Sequence, residues 1–431
     1  MLQLTYRLNK LVKHFLASSL LLFSIRGNAQ APELSLKEAF NIAEKNYPAS
    51  QRKELLKQIE NLTVKNINTG HIPQINMSGQ ASYQSNVTQL IVPIPGIKIP
   101  VIPKDQYKVY TDVAETLYDG GMIREQKAIE QLNTDVEVSK VNVELYDLKT
   151  RINQFYFAVL YQQELLDQTN LLLQNIQAGI NKVKPQVDNG TVLRSNLLVL
   201  QAQQLQTSQR EIEIRNTRKG LLNALSTLLR YPIDEKTQLE NPLIEFAADS
   251  NIARPELRLY DNQMNLLQEQ RDLVDARNRP RLSAFAQGGY GRPALNMLLP
   301  TFEFYYIAGI RFNWSIGSLY TAKRDKQLLE VNRKSVQLQQ ETFLLNTQSQ
   351  LNQQSAEIEK YLELVNSDQA IFDIRRQITE SAKAQLENAV ITANDYLREI
   401  NEEDQARQSK IIHEIQLLQA KANYAITAGK L

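Results

Sequence analysis

Apolar residues recur in steps of four and three over a very long stretch of this chain. Val141, Leu145, Leu148, Ile152, Phe155 and Val159 open a stripe that continues through Leu166, Leu173, Ile176, Ile180 and Val183, with only Gln162 and Thr169 interrupting. A period of 3.5 residues is a coiled-coil seam. It predicts one helix from Gly121 to about Val187, roughly 100 Å long at 1.5 Å per residue. Asp188-Asn189-Gly190-Thr191 breaks the pattern and Leu197–Leu229 resumes it. Glycine supplies the left-handed conformation that ends a helix, so the segment reads as an antiparallel helical hairpin with a tight tip. A looser stripe follows: Leu344, Leu351, Ile358, Val365, Phe372 and Leu386 share one heptad position, with Thr379 polar. It breaks at Leu386-Glu387-Asn388-Ala389 and helix returns from about Asp395 to Ala428. Helices this long need neighbours along their whole length, supplied by the hairpin partner and by other subunits.

Other segments alternate with period two. Ile75, Met77, Gly79, Ala81 and Tyr83 interleave with Asn76, Ser78, Gln80 and Ser82; Leu282 to Tyr290 and Phe302 to Trp314 repeat the pattern. Such alternation over about ten residues is expected of a transmembrane β-barrel strand, and equally of a half-buried soluble sheet. Tyr107 to Tyr118 alternates less cleanly. Either face carries a carboxylate, Asp112 or Glu115, and its apolar side stays open.

The two halves are copies. Pro48 and Pro255, Pro73 and Pro280, Gln80 and Gln287, and Tyr83 and Tyr290 each lie 207 residues apart. A repeat this long signals a duplicated architecture. Each copy runs helix, strand, strand, long helical hairpin. The expected organisation is a signal peptide at 1–29, a first repeat at 30–230, a linker at 231–253 and a second repeat at 254–431. The fold class is mainly α with a small β part. Four strands cannot close an aqueous pore, and open sheet edges cannot face lipid. A chain of this kind that spans an outer membrane must therefore oligomerise. Three copies would supply twelve strands and twelve long helices.

Composition narrows the setting. Arg7, Lys10 and Lys13 precede an apolar run from Phe15 to Phe23 and the small residues Gly27-Asn28-Ala29, which reads as a secretory signal peptide. Its removal takes four of the 49 basic residues and no acidic ones, leaving 45 against 47. That balance does not point to nucleic acid. The absence of cysteine excludes disulfides and thiolate metal sites. Three histidines, no His-Glu-x-x-His, no nucleophile elbow and no Walker loop argue against an enzyme, and no cofactor is expected. The proline-rich segment 92–103 has no counterpart in the second copy and reads as a loop between the first two strands.

The motifs in this order resemble the outer membrane efflux protein family, the TolC-type trimeric exit ducts. Leu34-Ser35-Leu36-Lys37-Glu38-Ala39 leading to Asn46-Tyr47-Pro48 is similar to the family's opening helix, and Arg254-Pro255-Glu256-Leu257 to the opening of its second repeat. Leu117-Tyr118-Asp119-Gly120-Gly121 resembles its strand-to-helix turn, with Asp119 placed to cap the helix. The second copy, Asn313-Trp314-Ser315-Ile316-Gly317, keeps only the final glycine. The resemblance implies a homotrimer with a twelve-stranded β-barrel in outer-membrane lipid, continuous with a twelve-helix periplasmic α-barrel. It also implies partners: a periplasmic adaptor (membrane fusion) protein and an inner-membrane pump of the RND or ABC type. The hairpin tips Gly190-Thr191-Val192-Leu193 and Ala389-Val390-Ile391-Thr392 match the family's adaptor-docking tips. The family's constriction carboxylates map to Asp395 in the second hairpin and to Asn196 in the first. A further family carboxylate falls on Arg398, followed by Glu399. The resemblance thus implies one Asp395 ring paired with Arg398, while residue chemistry alone also allows Asp395 to be a helix cap. The implied role is an exit duct for small molecules; the outlet of a type I protein secretion system is an alternative. A periplasmic coiled-coil adaptor or scaffold is the rival from another class, and need for detergent on extraction separates it from a duct.

Overall fold

The computed structural model describes residues 33–88, 101, 103–246, 251–388 and 390–431. The expected signal peptide, Ala389, most of the proline-rich segment and residues 247–250 of the linker lie outside the described residues.

Along the chain come β1 (Glu33–Leu34), α1 (Leu36–Asn46), α2 (Pro48–Asn68), β2 (Gln74–Tyr83), β3 (Asp105–Tyr118), α3 (Met122–Asp188) and α4 (Arg194–Leu229). They are followed by β4 (Gln238–Leu239), α5 (Pro255–Arg277), β5 (Arg281–Arg292), β6 (Glu303–Asn313), α6 (Leu319–Glu387) and α7 (Ala393–Ala428). The copies agree element by element. α2 and α5 have 21 and 23 residues, α3 and α6 have 67 and 69, and α4 and α7 have 36 each. The compact units do not follow the repeats. One gathers the described residues up to Tyr47 with Asp147–Asn251 and Ser349–Leu431; the other takes Pro48–Tyr146 and Ile252–Gln348.

The second of these units holds a four-stranded antiparallel sheet in the order β2-β3-β5-β6. Residues directly opposite across a ladder share a face. The register Met77↔Thr111↔Gly288↔Tyr306 and its neighbours therefore put Ile75, Met77, Tyr83, Tyr107, Val109, Val113, Tyr290, Phe304, Tyr306 and Ile310 on one side. The open side of β3 is thereby decided. Glu115 shares the apolar face, while Asp112 lies on the opposite one and accepts a 2.8 Å hydrogen bond from Gln287 Nε2. A bulge between Thr116 and Tyr118 brings Tyr118 across to the face of Leu282 and Phe312.

The turn from β3 into α3 uses Gly120 and Gly121 at φ +74 and +93, which L side chains rarely adopt. A Cβ on Gly120 would also sit 2.9 Å from the Ala276 carbonyl oxygen. Asp119 caps the helix, its two carboxylate oxygens accepting from the N–H groups of Gly121 at 2.8 Å and Ile123 at 2.6 Å.

In the first unit Leu148, Ile152, Val159, Ile176, Ile180 and Val183 of the seam are buried, while Phe155, Leu166 and Leu173 are half-buried and Leu165 and Leu172 beside the latter two take the inner positions. The polar interruptions are satisfied locally. Thr169 donates to the Leu165 carbonyl at 2.7 Å, and Thr379 donates to the Glu399 carbonyl on the returning helix at 3.2 Å. Tyr156, fully buried, has its one hydroxyl proton between the carbonyl oxygens of Leu34 and Glu240, which it shares, and so holds the parallel β1–β4 pair against α3. Arg218 does the same for the following turn, donating to the carbonyls of Glu235 at 2.8 Å and Thr237 at 2.7 Å.

Candidate functional site

Three places in the fold carry chemistry: the apolar face of the sheet, the tips of the two hairpins, and the strand–helix junction. The sheet face exposes side chains that water disfavours, with Met77 77%, Phe304 86% and Tyr306 82% accessible. Its ends are aromatic. At one end Tyr290 lies 4.6 Å from Phe304 and 5.6 Å from Phe302, with the Arg292 guanidinium 5.1 Å over Phe302. Arg292 is also ion-paired with Asp105 there. At the other end stand Tyr118, Phe312 and Trp314, all exposed. An apolar band between aromatic girdles is the pattern found on the outer face of outer-membrane barrel strands. The opposite face carries Asn76, Gln80, Asp112, Gln287 and Arg311, which suits water.

At the first tip, α3 ends on Gly190 at φ +74, and Thr191 N–H reaches back to the Gln186 carbonyl at 2.9 Å. At the second, Val390 N–H bonds the Gln385 carbonyl at 2.8 Å and Thr392 caps α7. The two tips are packed together, since Leu172, Ile176, Ile180 and Val183 form one cluster with Leu386, Tyr396, Leu397 and Ile400. That packing divides the apolar residues of each tip. Val192 and Ile391 are partly buried against the cluster, whereas Leu193 and Val390 stand 74% and 70% exposed.

Asp395 completes a capping box with Thr392. Its carboxylate accepts from the Thr392 hydroxyl at 2.7 Å and the Thr392 N–H at 3.2 Å, and its own N–H returns to the Thr392 oxygen. The Thr392 hydroxyl, then the Thr392 N–H and the charge of Arg398, hold this carboxyl below its usual range. The expected pairing of Asp395 with Arg398 is not what forms. Arg398 instead donates from Nε at 3.0 Å and Nη2 at 2.9 Å to Glu399, the nearer carboxylate on the same turn. Asp395, Arg398 and Glu399 line one groove of 560 Å³ with Ile374, Ile378 and Ile391. Asn196 does not line that groove but lies close by: its Oδ1 accepts from the Ala393 N–H at 3.4 Å, tying the first tip to the start of α7. The sequence held no signal for that tie, because the partner lies in the other repeat.

The junction was also missed by sequence reading. Glu125, 6% exposed at the start of α3, binds the Arg124 guanidinium and hydrogen-bonds to Glu269 on α5. Arg279 closes the cluster, donating to the Gly120 carbonyl at 3.1 Å. Burial, then the hydrogen bond and charge of Glu125, push Glu269 up to about 7, while Glu125 is held low by Glu269 and Arg124. Glu269 therefore titrates near neutral pH, and its protonated form donates to Glu125. Because the folded pKa of Glu269 exceeds the unfolded value of 4.5, its contribution to stability is complete below pH 4.5 and is lost as pH rises through about 7. Glu269→Gln, which keeps the hydrogen bond without the titration, should melt at a temperature that varies less between pH 5 and pH 8. Equal pH dependence in both proteins would remove the pair as its source.

No family model matches the sequence, and no curated protein matches it either. Solved structures do match in three dimensions. The open state of the Neisseria gonorrhoeae MtrE outer membrane channel superposes with a TM-score of 0.65 over 92% of this chain and 89% of its own, at 15% identity. The outer membrane protein VceC from Vibrio cholerae gives 0.64 over 91% and 96%, at 11% identity. The Campylobacter jejuni CmeC outer membrane channel gives 0.62 over 92% and 85%, at 13% identity. The fold is that of the outer-membrane efflux channels. Identities this low make the likeness one of fold. Within the efflux-channel fold, the mainly helical chain contributes a four-stranded sheet and two long hairpins. Among the described residues no helix is long and apolar enough to cross a membrane.

Proposed function

We propose that this chain is one protomer of a homotrimeric exit duct in the outer membrane of a Gram-negative bacterium, extending into the periplasm. It conducts small molecules passively, handed on by an inner-membrane pump through a periplasmic adaptor. The carrying observation is the sheet, which has an apolar face with aromatic ends yet leaves β2 and β6 as open edges. Unpaired edges cannot persist in lipid. Three copies joining β6 of one to β2 of the next make a closed twelve-stranded barrel, with each repeat supplying two strands and one hairpin. The helices support the same count. Leu198, Leu205 and Ile212 on α4, and Val331, Leu338 and Leu345 on α6, are exposed at seven-residue spacing. Each is a heptad stripe left exposed among the described residues, and neighbouring protomers cover it in a twelve-helix α-barrel. A periplasmic scaffold would have no use for the girdled apolar face.

At the tips, Leu193 and Val390 are the adaptor contacts, beside Gly190, Thr191 and Thr392. Asp395, with Glu399, Arg398 and Asn196 nearby, forms the constriction. Three Asp395 carboxylates around a three-fold axis favour cations. Mass measurement in mild detergent should give three chains, and planar-bilayer recording should give a cation-preferring pore. Asp395→Asn should weaken that preference while keeping the cap, since the amide oxygen still accepts from Thr392. A folded monomer, or unchanged selectivity in Asp395→Asn, would overturn the trimer and the ring respectively.

A further inference from the structure

We propose that a groove of 420 Å³ on the first unit, bounded by Glu164, Val365, Ile411, Glu414, Ile415 and Leu418, binds a small organic cation with an apolar body. Its volume lies in the range of small-molecule sites, about 300–1,000 Å³. The wall is aliphatic by construction. Ile411, Ile415 and Leu418 fall at i, i+4 and i+7 of α7 and share one face, and Val365 meets them from α6. Glu414 belongs to that face, three residues after Ile411 and four before Leu418.

Glu164 enters from α3 and is partly buried. Burial, then the charges of Asp167 and Glu414, push its carboxyl up, and the amide of Asn241, also lining the groove, is its hydrogen-bond partner. Glu414 is ion-paired with Lys410, whose Nζ stands 3.7 Å from its Oε1, beyond hydrogen-bonding distance. Glu164 thus lies near the carboxylates of Asp167 and Glu414, of which Asp167 interacts with Arg218 and Glu414 with Lys410. A half-buried carboxylate gains most from a cation that brings its own desolvated surface. The aliphatic wall selects for an apolar body on that cation. It selects against a bare metal ion: among the described residues no group of three acidic or histidine side chains converges as a metal site.

The site is read by binding alone, so its test does not depend on transport. The full chain, purified as it assembles in a neutral detergent, is titrated with rhodamine 6G and followed by fluorescence anisotropy. Empty micelles serve as blank, and zwitterionic rhodamine B as the comparison of like shape. Saturable binding of rhodamine 6G, stronger than that of rhodamine B, is expected. Glu164→Gln should weaken it by about ten-fold or more, as loss of a charged hydrogen-bond partner does. Glu164→Asp should retain most of the affinity, and Leu418→Ala should lower it with the helical circular dichroism unchanged. Equal affinity in wild type and Glu164→Gln would overturn the proposal. So would the absence of saturable binding, as when a second copy of the chain fills the groove in the assembly.

Discussion

Arginine at Met77 or Tyr306 will keep this protein out of the membrane, and arginine at Asn76 will not. Met77 and Tyr306 lie near the centres of β2 and β6, on the same face of the sheet, and both are more than three-quarters exposed. On a barrel's lipid side, Arg near the bilayer midplane costs about 2–4 kcal/mol. Three symmetric copies multiply that to about 6–12 kcal/mol per assembly, comparable to the whole stability of many proteins. Asn76 is the immediate neighbour of Met77 but pairs with Asp112 on the opposite face. Arginine there meets water and a carboxylate. The readout is the share of each variant recovered in the outer-membrane fraction as trimer. Equal recovery of Met77→Arg and Asn76→Arg would mean that this face does not meet lipid.

Export should fall by more than ten-fold when Leu193 and Val390 are both replaced by Glu, with the trimer still present in the outer membrane. Among the described tip residues these two keep their apolar surface exposed. A central apolar anchor in an interface contributes about 2 kcal/mol or more, and a buried unpaired charge in its place opposes docking further. Val192 and Ile391 should behave differently. They pack against the cluster of Ile180, Val183, Leu386 and Tyr396, so alanine there should lower the melting temperature and leave docking intact. Measuring efflux of a fluorescent substrate from cells, alongside the trimer band, separates the two. Unchanged efflux in the double Glu variant would move the docking surface elsewhere.

The hairpins and strands were legible before any coordinates because their causes are local and periodic. A heptad stripe can be counted, and α3 begins and ends within a residue of the range expected from Gly121 to Val187. Alternation of Ile75, Met77 and Tyr83 with polar residues marked β2 in the same way. Asp119 as a cap was readable too, since the cap and the N–H groups it binds lie within four residues. The likeness of the fold to efflux channels was likewise carried by the order and doubling of such local signals, while no single motif was decisive.

What needed the tertiary structure was every choice between two locally equal options. β3 offered Asp112 or Glu115 to the apolar side, and its pairing with β2 and β5 decided for Glu115. Arg398 had carboxylates on both sides, and side-chain geometry on one helical turn gave it to Glu399. Exposure of the tip residues depended on contacts between two hairpins from different repeats. The hydrogen-bonded pair of Glu125 and Glu269 joins helices that the sequence keeps apart. Periodicity determines which face of an element is apolar, because side-chain direction follows from backbone geometry. It does not say what that face meets, because burial, charge pairing and proton affinity are set by neighbours that only the folded chain brings close.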